Sequence, residues 1–134
     1  MARNDQKRRA VPAPTEAELD VLRALWERGP STVREVHAAV STAKSVGYTT
    51  ILKQMQVMHR KGLLQRSERF RSHVYETCRP QAQTQRQLTH ALLKRAFGGS
   101  ASALLQSALG GRRATAQELA EIRRLLNELE RESR

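Results

Sequence analysis

The 134-residue sequence has one cysteine, Cys78, and no apolar stretch close to the roughly 18 residues that a membrane-spanning helix needs. A single cysteine excludes an internal disulfide and a zinc site of the Cys-x-x-Cys type, and it is typical of a reducing compartment. The first residues, MARNDQKRRAVPAPT, are charged but have no apolar block after the charges, unlike a secretory signal. These absences predict a cytoplasmic protein with no direct membrane insertion.

The sequence also lacks the short motifs of common enzymes. It has no Gly-rich phosphate loop, no nucleophile elbow and no pattern of paired carboxylates. The four histidines, His37, His59, His73 and His90, include no pair three or four residues apart, as a helical metal site would require. We therefore predict that the protein is not an enzyme and binds neither a metal nor a cofactor.

Positive charge is what the sequence has in excess. Lys and Arg number 24 against 13 Asp and Glu, for a formal net charge of +11. Residues 44–79 hold eight of the basic residues and only two glutamates, a net charge of +6. With 39% apolar residues, the chain can form a modest core. This balance indicates an anionic partner, which is nucleic acid, an anionic membrane surface or an acidic protein.

Three helices are predicted before residue 62. The capping boxes Thr15-Glu16-Ala17-Glu18 and Thr32-Val33-Arg34-Glu35 mark the starts of the first two. The third helix is predicted to be capped by Thr49 or Thr50, and to end at Gly62 after two basic residues. Its buried face is predicted to consist of Ile51, Met55 and Met58.

A basic hairpin is predicted to follow. The apolar pairs Leu63-Leu64 and Val74-Tyr75 form two short strands around a basic loop of residues 65–73, and Pro80 closes the unit. Three helices followed by such a hairpin are typical of a winged helix-turn-helix, whose third helix enters the DNA major groove. The fold class is therefore mainly α with a small β hairpin.

The third helix and the hairpin tip supply the candidate contacts to double-stranded DNA. Thr hydroxyls at a helix N-terminus suit phosphate, Lys53 suits guanine and Gln54 suits adenine. The alternative for Gln54 is an ordinary exposed helix residue, and for the arginines a solvated surface. The predicted DNA-binding residues are Tyr48, Thr49, Thr50, Lys53, Gln54, Arg69, Arg71, Ser72 and His73.

Residues 81–134 are predicted to form three leucine-striped helices. So short a segment with one aromatic residue makes a poor core by itself, so its stripes are expected to pack against a second copy. The organisation is then a flexible basic tail (1–14), a winged-helix domain (15–80) and a three-helix dimerisation region (81–134). The predicted dimerisation residues are Leu88, Leu92, Phe97, Leu104, Leu105, Leu119, Ile122, Leu125, Leu126 and Leu129.

The order and spacing of several motifs over about residues 14–130 resemble the BlaI/MecI/CopY family of penicillinase-repressor-type transcriptional regulators. These motifs include Tyr48-Thr49-Thr50-Ile51-Leu52, Lys61-Gly62-Leu63-Leu64 and Phe97-Gly98-Gly99-Ser100. The resemblance implies a homodimer that represses an operon by binding a pseudo-palindromic operator, often with TACA/TGTA half-sites. It also implies release through a membrane-embedded sensor metalloprotease, with cleavage of the repressor near Ser107-Ala108.

The sequence departs from the family pattern in three places. The usual Asn-Phe is absent at Ser107-Ala108, and the Cys-x-Cys motifs of the copper-sensing branch are absent as well. Many relatives carry Arg where this chain has Val57, and Thr or Arg where it has Lys53. A copper response is therefore not expected. The operator sequence of the relatives is also not assigned to this protein, because the residues of its third helix differ from theirs at Lys53 and Val57.

Two alternatives stay open at the level of sequence. A winged-helix scaffold can act as a protein-interaction adaptor that does not read DNA sequence, with its basic face docked on an acidic partner. Cys78 is either a thiol sensor activated by the neighbouring Arg79 or a small, partly buried residue without chemistry.

Overall fold

A computed structural model of the protein describes residues 11–69, 71–111 and 113–134, which form two compact units divided between Leu88 and Thr89. The first unit contains helices α1–α3, a hairpin and the start of α4, and the second contains the rest. The elements in chain order are α1 (Glu16–Arg28), α2 (Val33–Ser41), α3 (Tyr48–Lys61), β1 (Leu64–Arg69), β2 (Ser72–Thr77), α4 (Gln81–Phe97), α5 (Ala101–Gly110) and α6 (Ala116–Glu132).

The predicted starts of α1 and α2 are confirmed. The Thr15 hydroxyl accepts a hydrogen bond from the Glu18 backbone N–H at 3.2 Å, and the Glu18 carboxylate accepts from the Thr15 N–H at 2.9 Å. Thr32 and Glu35 form the same reciprocal pair, at 3.2 and 2.9 Å. Both boxes satisfy N–H groups that a helix start otherwise leaves without partners.

The predicted cap of α3 is wrong, because the helix begins at Tyr48 and its N-cap is Gly47, without a side-chain cap. Thr49 and Thr50 lie inside the first turn and are exposed. The preceding turn fixes this start: His37 Nε2 lies 2.8 Å from the Val46 carbonyl oxygen. The predicted end at Gly62 is confirmed, with a left-handed φ of 84° that glycine adopts without strain.

The strands of the hairpin are longer than predicted, and most of the expected loop belongs to them. They pair antiparallel from Leu64 opposite Thr77 to Arg69 opposite Ser72. Alternation of apolar residues could not show this, because β1 is exposed at every residue after Leu64. A bridge between Ser31 and Tyr75 adds a third short strand to the sheet.

One apolar core holds the first unit together. It contains the predicted α3 residues Ile51, Met55 and Met58, all nearly inaccessible to solvent, and Tyr75 of β2. Val21, Leu22 and Leu25 come from α1, and Val33, Val36 and Val40 from α2. Because α1, α2 and the hairpin all pack on α3, the rotation of α3 about its own axis is fixed. That rotation determines which side chains of α3 face outward.

Within the segment predicted as a flexible tail (residues 1–14), Val11 and Pro14 pack against the first unit. Val11 is half-buried against the core, and its carbonyl oxygen accepts a hydrogen bond from Gln87 Nε2 at 2.8 Å. Pro14 is buried. Residues 1–10 lie outside the described residues.

The second unit contains the end of α4 with α5 and α6. Among its described residues none is buried, although its helices carry leucine stripes. The Thr115 hydroxyl caps α6 by accepting from the Glu118 N–H at 3.0 Å. Across the part of the chain that the structure describes, no helix has the length and apolar character to cross a membrane.

Candidate nucleic-acid interface

The packing of α3 sets its outward face. Because Ile51, Met55 and Met58 point into the core, residues on the opposite side of the 3.6-residue turn are exposed. That face, called here the outward face of α3, consists of Thr49, Lys53, Gln56 and Arg60. Thr49 and Lys53 were predicted as DNA-binding residues. Gln56 and Arg60 were missed, although they continue the same spacing of three and four residues.

Thr50 and Gln54 lie off the outward face. Gln54 is half-buried, and both side chains line a small cavity with Asp20, Val40 and Ile51. The structure therefore does not bring Gln54 together with Lys53. The sequence analysis placed Lys53 and Gln54 on one polar face, but adjacent residues of a helix point about 100° apart.

An open groove of about 350 Å³ lies beside the outward face, between the start of α2, the first three turns of α3 and strand β2. It brings together Tyr48, Ser72 and His73, three of the predicted DNA-binding residues, and adds Arg34 and Gln56. The ring of Tyr48 packs edge-on against His37, with ring centroids 5.8 Å apart. We call this feature the α3–wing groove.

The basic residues of this region fall into two groups. Lys44 and Lys61 are tied to acidic residues of α1: Lys44 Nζ lies 2.7 Å from Asp20 Oδ2, and Lys61 Nζ lies 2.8 Å from Glu18 Oε2. In the described part of the chain, no carboxylate lies within 4.0 Å of the cationic groups of Lys53, Arg60, Arg69 and Arg71. The first group supports the fold, and the second is available to an anionic partner.

These contacts shift the pKa of one carboxylate, Glu18, and of one lysine, Lys44. Burial alone would raise the pKa of Glu18, but the hydrogen bonds from Lys61 and from the Thr15 backbone outweigh burial and hold that pKa below its usual value. The hydrogen bond to Asp20 raises the pKa of Lys44.

The hairpin places four predicted residues at its tip. Arg69 ends β1, Arg71 precedes β2, and Ser72 and His73 begin it, all of them exposed. Arg71 has a φ of 65°, a left-handed conformation that non-glycine residues adopt rarely. His73 Nε2 lies 3.7 Å from Glu68 Oε1, so one carboxylate stands beside the basic tip.

The structure weakens the idea that Cys78 is an activated thiol. Burial raises the pKa of Cys78, and the opposing effect of Arg79 is smaller. Cys78 as a whole is exposed rather than partly buried, and a raised pKa is the opposite of the shift that activation by Arg79 would produce. Within the described ranges, no three His, Cys, Asp or Glu side chains converge in a way that could hold a metal ion.

The predicted dimerisation residues differ in exposure. Leu88 lies in the first unit and is half-buried, as are Phe97, Leu104, Leu119 and Ile122 in the second. Ser107 and Ala108 are exposed on α5. The exposed apolar residues of the set are Leu92, Leu105, Leu125, Leu126 and Leu129.

Three packed helices followed by a two-stranded wing define a winged helix-turn-helix protein. The model of the penicillinase repressor family matches residues 14–128, and the chain belongs to that family. Over 59 residues it is 37% identical to the transcriptional regulator BlaI of Mycobacterium tuberculosis, from strains H37Rv and CDC 1551. That match covers 43% of this chain and 43% of the length of each relative.

Two solved structures are similar as well. A MarR family protein from Bacillus stearothermophilus shares the fold at 20% identity, with a TM-score of 0.51, and the match covers 98% of this chain and 86% of that one. The solution structure of monomeric Bacillus licheniformis BlaI in complex with the blaP half-operator matches with a TM-score of 0.49 and 23% identity. This match covers 55% of this chain and 89% of the Bacillus licheniformis chain.

Proposed function

We propose that the protein is a dimeric repressor of transcription that binds a specific operator in double-stranded DNA. The observation that carries the proposal is the group of unpaired cations on the outward face of α3 and at the wing tip, on either side of the α3–wing groove. Membership of the penicillinase repressor family supports it. The proposal assigns DNA binding to residues 15–80 and dimerisation to residues 81–134.

In this proposal α3 enters the major groove and the wing lies along the neighbouring backbone. The N-terminus of α3 suits a phosphate, because Gly47 provides no side-chain cap and the first turn contains no acidic residue. Thr49 and Thr50 add hydroxyl donors at the same end. Lys53, Arg69 and Arg71 bind phosphates in this proposal, and His73 and Ser72 lie where the wing meets the groove.

The second unit supports the dimer. Its apolar stripe is exposed in the single chain, with Leu125 and Leu129 half-exposed at 54% and 50%. Burying a leucine side chain contributes about 1.5–3 kcal/mol, so a second copy packed on this stripe gains a substantial free energy. A two-fold dimer also matches a pseudo-palindromic operator, because each winged helix then reads one half-site.

Release from the operator is proposed to follow the family pattern. A membrane sensor metalloprotease is the proposed partner, and the exposed Ser107 and Ala108 of α5 mark the proposed cleavage region. The repressor itself acts in the cytoplasm without a cofactor and without catalytic activity.

Selection from a pool of random-sequence duplexes tests the proposal. The wild-type protein is expected to enrich an inverted repeat whose half-sites are about one helical turn apart. Arg71→Ala is expected to enrich the same repeat with lower affinity, since a phosphate contact carries no base preference. A pool that gains no common sequence would contradict the repressor and favour the adaptor, which docks an acidic protein instead.

A further inference from the structure

We infer that Gln56 is a base-reading residue of α3 and that it pairs with an adenine in the major groove; this inference rests on the proposed function. Gln56 is exposed on the outward face, one turn beyond Lys53 and one turn before Arg60. It also forms part of the wall of the α3–wing groove with Arg34 and His73. No other glutamine of α3 occupies the outward face.

The amide of Gln56 is free to pair with a ligand. In the described residues, its side chain makes no hydrogen bond and has no charged partner. A glutamine amide offers one acceptor, the carbonyl oxygen, and donors on the nitrogen. Since its neighbours Lys53 and Arg60 carry no partner carboxylate either, this part of α3 presents an unpaired amide between two unpaired cations.

The chemistry of the amide selects one base. In the major groove adenine offers an acceptor at N7 and a donor at N6, which match the donor and the acceptor of glutamine at the same time. Guanine offers two acceptors at the corresponding edge, and matches Arg or Lys instead. An amide held between two cations that bind phosphate therefore distinguishes A·T from G·C at one position of each half-site.

Gln54 provides the matched comparison within the same helix. It has the same side chain two residues away, but it is half-buried and lines the cavity that contains Asp20 and Val40. It is therefore directed away from the surface that Lys53 and Gln56 share. Substituting either glutamine removes the same chemical group, so a difference between the two variants reports position alone.

The test measures binding of the full-length protein to the duplex that the wild type selects and to a set of duplexes with one base pair changed symmetrically in both half-sites. For Gln56→Ala we expect a loss of about ten- to a hundredfold on the selected duplex, and equal affinity for all four base pairs at one A·T position. For Gln54→Ala we expect less than about a twofold change, with every preference kept. Thermal unfolding of both variants checks that each is folded.

A second variant, Gln56→Glu, tests whether the base preference changes in the direction that its chemistry requires. Gln56→Glu keeps an acceptor but loses the donor, so the preference at that position is expected to shift from adenine toward cytosine, whose N4 amino group donates. Full retention of the adenine preference in Gln56→Ala and Gln56→Glu would overturn the inference and leave the repressor intact. A wild-type protein that binds all the duplexes equally would overturn both.

Discussion

Lys61 Nζ lies 2.8 Å from Glu18 Oε2, and this contact ties the last turn of α3 to the first turn of α1. The Glu18 carboxylate is almost completely buried and also accepts the Thr15 N–H, so one side chain caps α1 and anchors α3. The rotation of α3 against the core depends on such contacts. Glu18 therefore helps to hold α3, the helix that carries the proposed DNA-binding residues, although Glu18 is not one of them.

Acid should weaken the fold through Glu18. The pKa of Glu18 is lowered in the folded state, so the unfolded chain binds the proton more tightly than the folded chain. The ionised carboxylate therefore stabilises the fold above the unfolded pKa of about 4.5. That stabilisation is lost as the pH falls through the folded pKa. We expect the free energy of unfolding, measured with urea, to fall below about pH 5. Glu18→Gln should lower it by about 2 kcal/mol at pH 7 and flatten its acid dependence.

Glu16→Gln serves as the control for this effect, because that carboxylate is exposed and lies 3.8 Å from Lys44. Its free energy of unfolding should stay within about 0.5 kcal/mol of the wild-type value. An equal loss of the free energy of unfolding in the two variants would show that the contact between Glu18 and Lys61 stabilises the fold no more than an exposed ion pair does.

Lys53 and Lys44 should differ in their effect on DNA binding. Lys53 has no carboxylate partner in the described residues, whereas Lys44 is paired with Asp20. Lys53→Ala is expected to weaken binding and to reduce the slope of log K against log salt by about 1, the value for one lost phosphate contact. Lys44→Ala is expected to leave the slope unchanged. Gel-shift titrations at several salt concentrations measure the slope for each variant. A Lys53→Ala slope identical to that of the wild type would exclude Lys53 from the interface.

Arg71 combines a charge with a strained backbone. At a φ of 65°, replacement by glycine relieves about 1 kcal/mol of strain while it removes a cation from the wing tip. Arg71→Gly should therefore unfold at higher urea concentration than the wild type and yet bind DNA more weakly. Arg71→Ala should lose the same affinity without the gain in stability. An Arg71→Gly variant with unchanged DNA affinity would exclude the wing tip from the interface.

Leu125 should be essential for the dimer. Leu125→Asp places a charge in the exposed stripe of α6, where a second copy is proposed to pack, and is expected to give monomers by light scattering. Arg124→Asp introduces the same side chain on the other side of the helix and should remain dimeric. A Leu125→Asp dimer of normal mass would place the interface elsewhere.

The capped ends of the helices were predictable from sequence, whereas the details of the interface were not. Thr15, Thr32 and Gly62 determine their ends through hydrogen bonds and dihedral angles within a few residues. The start of α3 depends instead on the contact between His37 and the Val46 carbonyl, which only the folded turn brings together.

The extent of the hairpin strands was likewise not predictable from sequence. Strand β1 is exposed along nearly its whole length, so no apolar pattern marked it, and its pairing with β2 determines its extent. The choice between Gln54 and Gln56 depends on the rotation of α3. The predicted buried face of Ile51, Met55 and Met58 already places Gln56 on the opposite side of the helix and Gln54 beside that face, so sequence spacing contained this information although Gln54 was selected.

The most direct test of the central claim is binding of the wild-type protein to the promoter DNA upstream of its own gene, titrated at several salt concentrations beside a scrambled duplex of the same length. A specific repressor is expected to prefer its own promoter by about a thousandfold, and to keep that preference as salt is raised. Weak binding to both duplexes, with the same steep loss of affinity in salt, would contradict the claim and reduce the basic surface to nonspecific attraction.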